Sequence, residues 1–284
     1  MKTRLRSAID SATTLLAEAG IDSARYDAEE LAAHLAGTER GRLAMLTAPD
    51  EAFFEHYRDS VAARSRRIPL QHLTGTAAFG PLTLTVGPGV FIPRPETEAI
   101  LEWATAQQLS ESALIVDLCT GSGALALGLA RHWPSARVIG VDDSEDALGY
   151  ARTNAAGTAV ELLHADVTAA GVLSQFDGQV DLLVANPPYV PDGAELEPEV
   201  LEHDPSHAVF GGQDGMTVIA ALVGVAARLL RPGGLFAVEH DDTTSASTVQ
   251  SLTETAAFAD VAPRFDLTGR PRFVTARRIG GGND

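Results

Sequence analysis

Cysteine is almost missing from this chain of 284 residues. A lone Cys119 excludes an internal disulfide and a thiolate zinc cluster, and the eight histidines are scattered along the chain. Long apolar runs are absent as well. The longest stretch without a polar side chain is residues 218–227, too short to span a bilayer. The start, Met1-Lys2-Thr3-Arg4-Leu5-Arg6, leads into Ser7-Ala8-Ile9-Asp10 and lacks the apolar segment of a signal peptide. Basic residues are scarce: 21 Lys and Arg stand against 38 Asp and Glu, a net charge of −17 with pI near 4.8. Residues 1–68 hold ten basic and eleven acidic side chains, leaving eleven against 27 for the rest. Duplex DNA binding needs many cations on one face, and no basic tract here is longer than Arg66-Arg67. The expected setting is the cytoplasm, with no metal, no membrane and no direct nucleic-acid partner.

What is present is an ordinary globular composition, 45% hydrophobic and 21% charged, in a chain long enough for about two domains. Residues 1–68 read as helices. Leu5, Ile9, Thr13, Leu15, Leu16 and Ala19 form one stripe ending at Gly20. Asp27 to Leu35 forms a second, with Leu31, His34 and Leu35 inward. Phe53, Phe54, Tyr57, Val61 and Ala62 form a third. This small bundle carries no catalytic constellation and reads either as a recognition module or as a structural appendage. Residues 69–93 are punctuated by Gly75, Gly80-Pro81, Gly87-Pro88-Gly89 and Pro93, the chemistry of turns and hairpins, and form an expected connector.

From residue 94 to 284 strands and helices alternate. Strands are expected over Ala113–Cys119, Arg137–Asp142, Val160–His164, Val180–Ala185 and Leu235–Glu239. Helices are expected over Gly123–His132, Ser144–Ala155 and Gly215–Leu230. Val261–Asp266 and Arg272–Arg278 form a terminal hairpin turning at Thr268-Gly269-Arg270-Pro271. The alternation predicts a doubly wound, mostly parallel α/β sheet beside the small helical domain.

Two segments carry chemistry. Asp117-Leu118-Cys119-Thr120-Gly121-Ser122-Gly123 joins a strand to a helix. Small residues there let backbone N–H groups and a helix N-terminus approach a ligand closely. Asp142 ends the next strand, where an acid takes the ribose hydroxyls of an adenosine cofactor. Asp166 is expected to end the third strand, where a side chain meets an adenine amino group. Gly121-x-Gly123-x-x-Ala126 also satisfies a dinucleotide fingerprint, so the turn alone does not select the cofactor. The second segment, Asn186-Pro187-Pro188-Tyr189, follows the fourth strand at the edge where ligands bind in open α/β sheets. Two prolines remove two N–H donors and stiffen the backbone, leaving rigid carbonyls. Asn186 adds a side-chain carbonyl, a pair suited to an –NH₂ group, and Tyr189 offers a flat wall.

Together these segments resemble class I S-adenosylmethionine-dependent methyltransferases that act on planar amino or amide nitrogens. Pro69-Leu70-Gln71-His72-Leu73-Thr74-Gly75, Phe91-Ile92-Pro93-Arg94-Pro95-Glu96-Thr97-Glu98, His203-Asp204-Pro205, Phe210-Gly211-Gly212 with Asp214-Gly215, and Arg231-Pro232-Gly233-Gly234 narrow the resemblance to the HemK/PrmC-type release factor glutamine methyltransferases. The resemblance implies a seven-stranded Rossmann-like sheet and S-adenosylmethionine held by Asp117, Cys119, Thr120, Gly121, Ser122, Gly123, Asp142, Asp166, Val167 and Asn186. It also implies substrate binding and catalysis by Asn186, Pro187, Pro188 and Tyr189. The partner it implies is a peptide chain release factor, methylated on the glutamine of a Gly-Gly-Gln motif. A DNA adenine-N6 methyltransferase would share Asn186–Tyr189 but bring a basic recognition region. A nicotinamide-dependent oxidoreductase would share only the glycine turn, and a non-catalytic S-adenosylmethionine-binding protein would not need Asn186. Cys119 stands where the family usually has glycine, and Val167 where some members carry a larger aromatic. Gly211-Gly212-Gln213 matches the substrate motif by letters only. In the Pro93–Glu98 segment, Pro95, Glu96 and Glu98 suit a first helical turn, and Arg94 or Glu98 equally suits the lining of the active site.

Overall fold

The computed structural model describes residues 2–46, 49–266 and 269–280. The chain divides into two compact units, one of Met1–Thr76 with Leu196–His203, the other of Ala77–Glu195 with Asp204–Asp284. The expected break lies at residue 68, whereas the first unit runs on to Thr76. The segment 196–203 joins the first unit across more than a hundred residues of sequence.

The first unit consists of helices Lys2–Glu18, Ala24–Leu35, Glu51–Ser65, Leu70–Thr74 and Pro198–His203, with a 3₁₀ turn over Arg40–Met45. Leu5, Ile9, Leu16, Leu31, Phe54, Tyr57 and Val61 fill its core. Two inward assignments fail. Leu15 is 45% exposed and His34 faces solvent, while Ala12, Ala28, Ala32 and Ala33 are buried instead. Alanine lets helices approach closely, so small residues took the seam that the larger side chains were expected to fill. Asp50 caps the third helix by accepting from Phe53 N at 2.9 Å, a contact worth about 1 kcal/mol. Arg64 is buried and bonds Asp27 at 2.7 Å. Its other end reaches Glu199 at 2.9 Å, and Arg67 reaches Glu197 at 2.8 Å and Glu199 at 3.1 Å. The short helix over 198–203 is thereby held by two arginines of the third helix and its C-terminal turn.

The second unit begins at Ala77, within the hairpin of β1 (Thr76–Phe79) and β2 (Leu82–Thr85). Its main sheet is built of β3 (Leu114–Leu118), β4 (Arg137–Asp142), β5 (Glu161–His164), β6 (Val180–Ala185), β7 (Leu230–Glu239), β8 (Phe258–Phe265) and β9 (Pro271–Arg278). The seven strands lie in the order β5-β4-β3-β6-β7-β9-β8, parallel from β5 to β7 and antiparallel at β9 and β8. Near-continuous apolar runs such as Val180–Ala185 form strands buried on both faces. Alternation then sends Leu182 and Val184 to one hydrophobic core and Leu183 and Ala185 to the other. Helices Ala124–His132, Glu145–Asn154 and Thr217–Leu229 follow β3, β4 and the long loop after β6. The doubly wound, mostly parallel seven-stranded sheet is as expected. β7 starts five residues earlier than expected, so Arg231–Gly234 lies inside the strand, where the pairing with β6 shifts register between Val180 and Leu182. β8 likewise starts at Phe258. Thr268 of the expected terminal turn, and Met1, lie outside the described residues. Among the described residues no helix is long and apolar enough to cross a membrane.

Candidate active site

Register brings the chemistry-bearing segments to one edge. Leu118 pairs with Val141 on one side and Ala185 on the other, and Ala185 pairs with Val238. The next residues, Cys119, Asp142, Asn186 and Glu239, therefore stand side by side at the carboxyl ends of β3, β4, β6 and β7. The strand order reverses between β3 and β6, the place where open α/β sheets form a ligand crevice.

The turn after β3 is held from below by Asp117. Its Oδ2 accepts from Thr120 Oγ1 at 2.6 Å and from Ala126 N at 3.0 Å. Oδ1 is buried with no partner, and so is Ser122 Oγ. Burial pushes the Asp117 carboxyl up to about 7 against the pull of those two donors. Gly121 and Gly123 have φ of 57° and 87°, the left-handed region where only glycine is unstrained. Gly121 N donates to Asp142 Oδ2 at 2.8 Å, and Ser144 N to Asp142 Oδ1 at 3.0 Å. One carboxylate thus ties the glycine turn to the start of the next helix. Burial raises its pKa, with the two N–H donors opposing. Cys119 has φ of 60°, so it occupies a glycine-favouring conformation with a side chain attached. Burial and the charges of Asp142, Asp117, Asp143 and Asp166 push its thiol well above the usual range, which leaves it protonated and unreactive at neutral pH.

Asp166 lies two residues beyond the end of β5 rather than on the strand. Its Oδ1 accepts from Thr168 N and Oγ1 at 2.8 and 2.6 Å, which holds the carboxyl below its ordinary value. Val167 is buried. Asp117, Thr120, Gly121 and Asp142 form one bonded set, which Asp166 does not join. The set suits an adenosine-bearing cation. The partnerless Asp117 Oδ1 and Ser122 Oγ are buried acceptors awaiting a donor, since an unmet buried polar atom is costly. Asp142 is anchored with lone pairs to spare for hydroxyls.

Asn186-Pro187-Pro188-Tyr189 leaves β6 without cis bonds. Asn186 Nδ2 donates to Thr97 Oγ1 at 3.1 Å, and Tyr189 Oη donates to Glu239 Oε1 at 2.9 Å. Glu239 is 1% exposed. Burial lifts its carboxyl to about 7, while the Thr97 and Tyr189 hydroxyls and Arg272 favour its charge and Glu96 opposes it. Burial and the neighbouring Glu239 push the Tyr189 phenol well up, so it remains a donor. A Cβ on Gly211 would lie 2.6 Å from Pro188 O, and one on Gly215 2.2 Å from Tyr189 O. These two glycines let the following loop lie against the proline turn. Gln213, between them, is exposed.

Arg94 is committed to an ion pair with the buried Asp204 and covers the Phe91 ring, which favours the structural reading of that residue. Glu98 begins the helix Glu98–Thr105. Thr97 and Asp204 enter the sequence reading only inside family-like segments and Glu239 only as a strand end, with no role expected of them. The available signal was an acid closing the apolar run Leu235–Val238 at the same edge as Asn186. Among the described residues no group of three His, Cys, Asp or Glu is placed to hold a metal ion.

Comparison with known proteins adds names to this geometry. Residues 7–75 match the family described as PrmC N-terminal domain, and residues 96–266 match the methyltransferase small domain. The chain is 67% identical over 280 residues to a release factor glutamine methyltransferase of Mycobacterium tuberculosis, covering 97% of this chain and 92% of that protein. It is 49% identical to the protein of the same name in Streptomyces coelicolor, covering 96% and 98%. A methyltransferase structure from Pyrococcus furiosus superposes with a TM-score of 0.53 at 17% identity, over 72% of this chain and 92% of that one. That last likeness concerns the fold alone.

Proposed function

Since the chain belongs to the release factor glutamine methyltransferase family, we propose that it methylates the side-chain amide nitrogen (N5) of the glutamine in the Gly-Gly-Gln motif of peptide chain release factors. S-adenosylmethionine, when bound, supplies an electrophilic methyl on a sulfonium. Asp117, Thr120, Gly121, Ser122 and Gly123, with Cys119 beside them, hold its methionine end. Asp142 takes the ribose hydroxyls, and Asp166 and Val167 meet the adenine.

An amide nitrogen is a poor nucleophile because its lone pair is delocalised into the carbonyl. The Asn186 Oδ1 and the Pro187 carbonyl accept its two hydrogens and aim the nitrogen at the methyl carbon, with Pro188 keeping the frame rigid and Tyr189 walling the planar group. Methyl transfer would leave positive charge on that nitrogen until its proton passes to water. The two acceptors hold that charge more strongly than the neutral amide, so they favour the transition state. Positioning of this kind is worth on the order of 7–11 kcal/mol. The protonated N-methyl amide is very acidic, so no strong base is needed.

The observation that carries this reading is the placement of Asn186, in register beside the glycine turn, with its Nδ2 committed to Thr97 and its oxygen left for the substrate. The test is mass spectrometry of release factors after incubation with the protein and isotopically labelled S-adenosylmethionine. One added methyl on the Gly-Gly-Gln glutamine is expected. Unmodified release factor, or label transferred to adenine in DNA instead, refutes the reading.

A further inference from the structure

The two polar ends of the proline turn converge on one buried acid. Tyr189 donates to Glu239 Oε1 directly. Asn186 Nδ2 donates to Thr97 Oγ1, and the Thr97 hydroxyl faces the Glu239 carboxyl and favours its charged form. The second carboxylate oxygen, Oε2, is buried with no hydrogen-bond partner, an acceptor left for a neighbouring hydroxyl. A hydroxyl has a single hydrogen. When Thr97 spends it on Glu239, only lone pairs are left to face Asn186, and Asn186 must answer with its NH₂ group.

An asparagine amide turned by 180° has almost the same shape, with oxygen and nitrogen exchanged. Turned the wrong way, Asn186 would point two N–H donors at a substrate amide that also offers two N–H donors. Packing alone cannot tell the two orientations apart; the direction of the hydrogen-bond chain can. We propose that Thr97 and Glu239 are positioning residues for methyl transfer, fixing the Asn186 amide with its oxygen toward the substrate and anchoring Tyr189 on the same carboxylate. This inference rests on the glutamine-methylation reading above.

The chain of donors runs one way only while Glu239 is charged. The groups facing it are Tyr189, Thr97, Arg272 and Glu96, with Asp241 acting on Tyr189. Protonated Glu239 becomes a donor itself, and Thr97 is released to donate to the Asn186 oxygen. Both orientations of Asn186 are then satisfied, and the selection is lost. The rate should therefore fall as pH drops through about 7, the value to which burial lifts this carboxyl.

The test is methyl transfer to release factor by the full-length protein at saturating S-adenosylmethionine, from pH 5.5 to 9. Wild type is compared with Thr97→Ser, Thr97→Val and Glu239→Gln, and S-adenosylhomocysteine binding by calorimetry identifies folded variants. Thr97→Ser keeps the hydroxyl and should stay within about threefold of wild type. Thr97→Val should lower kcat by about 10–100-fold, the usual cost of losing a supporting hydrogen bond behind an active-site group, with both KM values little changed. Glu239→Gln should lower kcat similarly and abolish the acidic limb. Wild-type kcat in Thr97→Val, equal losses in the serine and valine variants, or an unchanged acidic limb in Glu239→Gln overturns the proposal. Should Thr97→Val not fold, the serine variant and the Glu239→Gln profile decide it. A wild-type protein that leaves release factor unmethylated instead overturns the reading on which it rests.

Discussion

Asp117→Asn separates what stabilises the fold from what serves the ligand. Wild-type Asp117 is buried, and its Oδ2 already accepts from Thr120 and Ala126, bonds that an asparagine oxygen can keep. What the substitution removes is a desolvated charge. Below about pH 4 the carboxyl is protonated in both folded and unfolded chains and costs nothing. Between about 4 and 7 the unfolded chain ionises while the folded one, with its carboxyl raised to about 7, does not. Each pH unit in that window penalises folding by about 1.4 kcal/mol. Above pH 7 the penalty is constant, at a ceiling of roughly 4 kcal/mol. Asp117→Asn should therefore stabilise the ligand-free protein at pH 8 by about 2–4 kcal/mol, or roughly 5–15 °C in Tm, with the gain shrinking toward pH 4. The same change deletes the acceptor offered to a cationic ligand, so S-adenosylmethionine should bind more weakly while the fold gains. The assay is thermal melting of both proteins at intervals from pH 4 to 8.5, with calorimetry for the ligand. A gap in Tm that does not vary with pH, or a variant less stable than wild type at pH 8, refutes the reasoning.

Three further outcomes follow from the site. Asn186→Ala should slow single-turnover methylation by about 10²–10³-fold with little effect on S-adenosylmethionine affinity, and Asn186→Asp should keep partial activity because a carboxylate still accepts; full activity in the alanine variant would remove the role assigned to this residue. Cys119→Gly relieves a side chain at φ 60° but loosens the unfolded chain, so chemical denaturation should show a change of less than about 1 kcal/mol, with turnover within a few-fold and the wild-type thiol resistant to alkylation at pH 7. Asp142→Ala should weaken S-adenosylmethionine binding by about 1–3 kcal/mol, read by calorimetry, because it removes an acceptor and frees the turn that Gly121 N anchors.

The parallel core of the sheet was legible because its strands are short apolar runs with acids or turns at their ends. The expected bounds of β4 and β6 match the structure to the residue. β7 was not, because Pro232 and the two following glycines looked like punctuation, and only its pairing with β6 shows them inside a strand. The residues expected in the site lie along one sheet edge, yet the polar supports behind Asn186 were missed. Thr97 is 89 positions away in sequence, and Glu239 looked like the mere end of a strand. Periodicity points His34 inward, but the four buried alanines of its helix give a closer seam. Glu197 and Glu199 passed as part of the general acidic excess, and nothing local ties them to Arg64 and Arg67.

That ionic tie sets an order of events during synthesis. Arg64 meets Asp27 as soon as the first helices have emerged, but Glu199 is added about 120 residues after the first stretch of this unit ends. At about 5–20 residues per second, the interval is roughly 6–24 s. Throughout it the helical unit has four of its five described helices, and Arg67 lacks Glu197 and Glu199. Strands β3 to β6 are all translated in the meantime. The first unit to begin folding is thus among the last to be completed, and a nascent chain stalled before residue 199 would carry it unfinished.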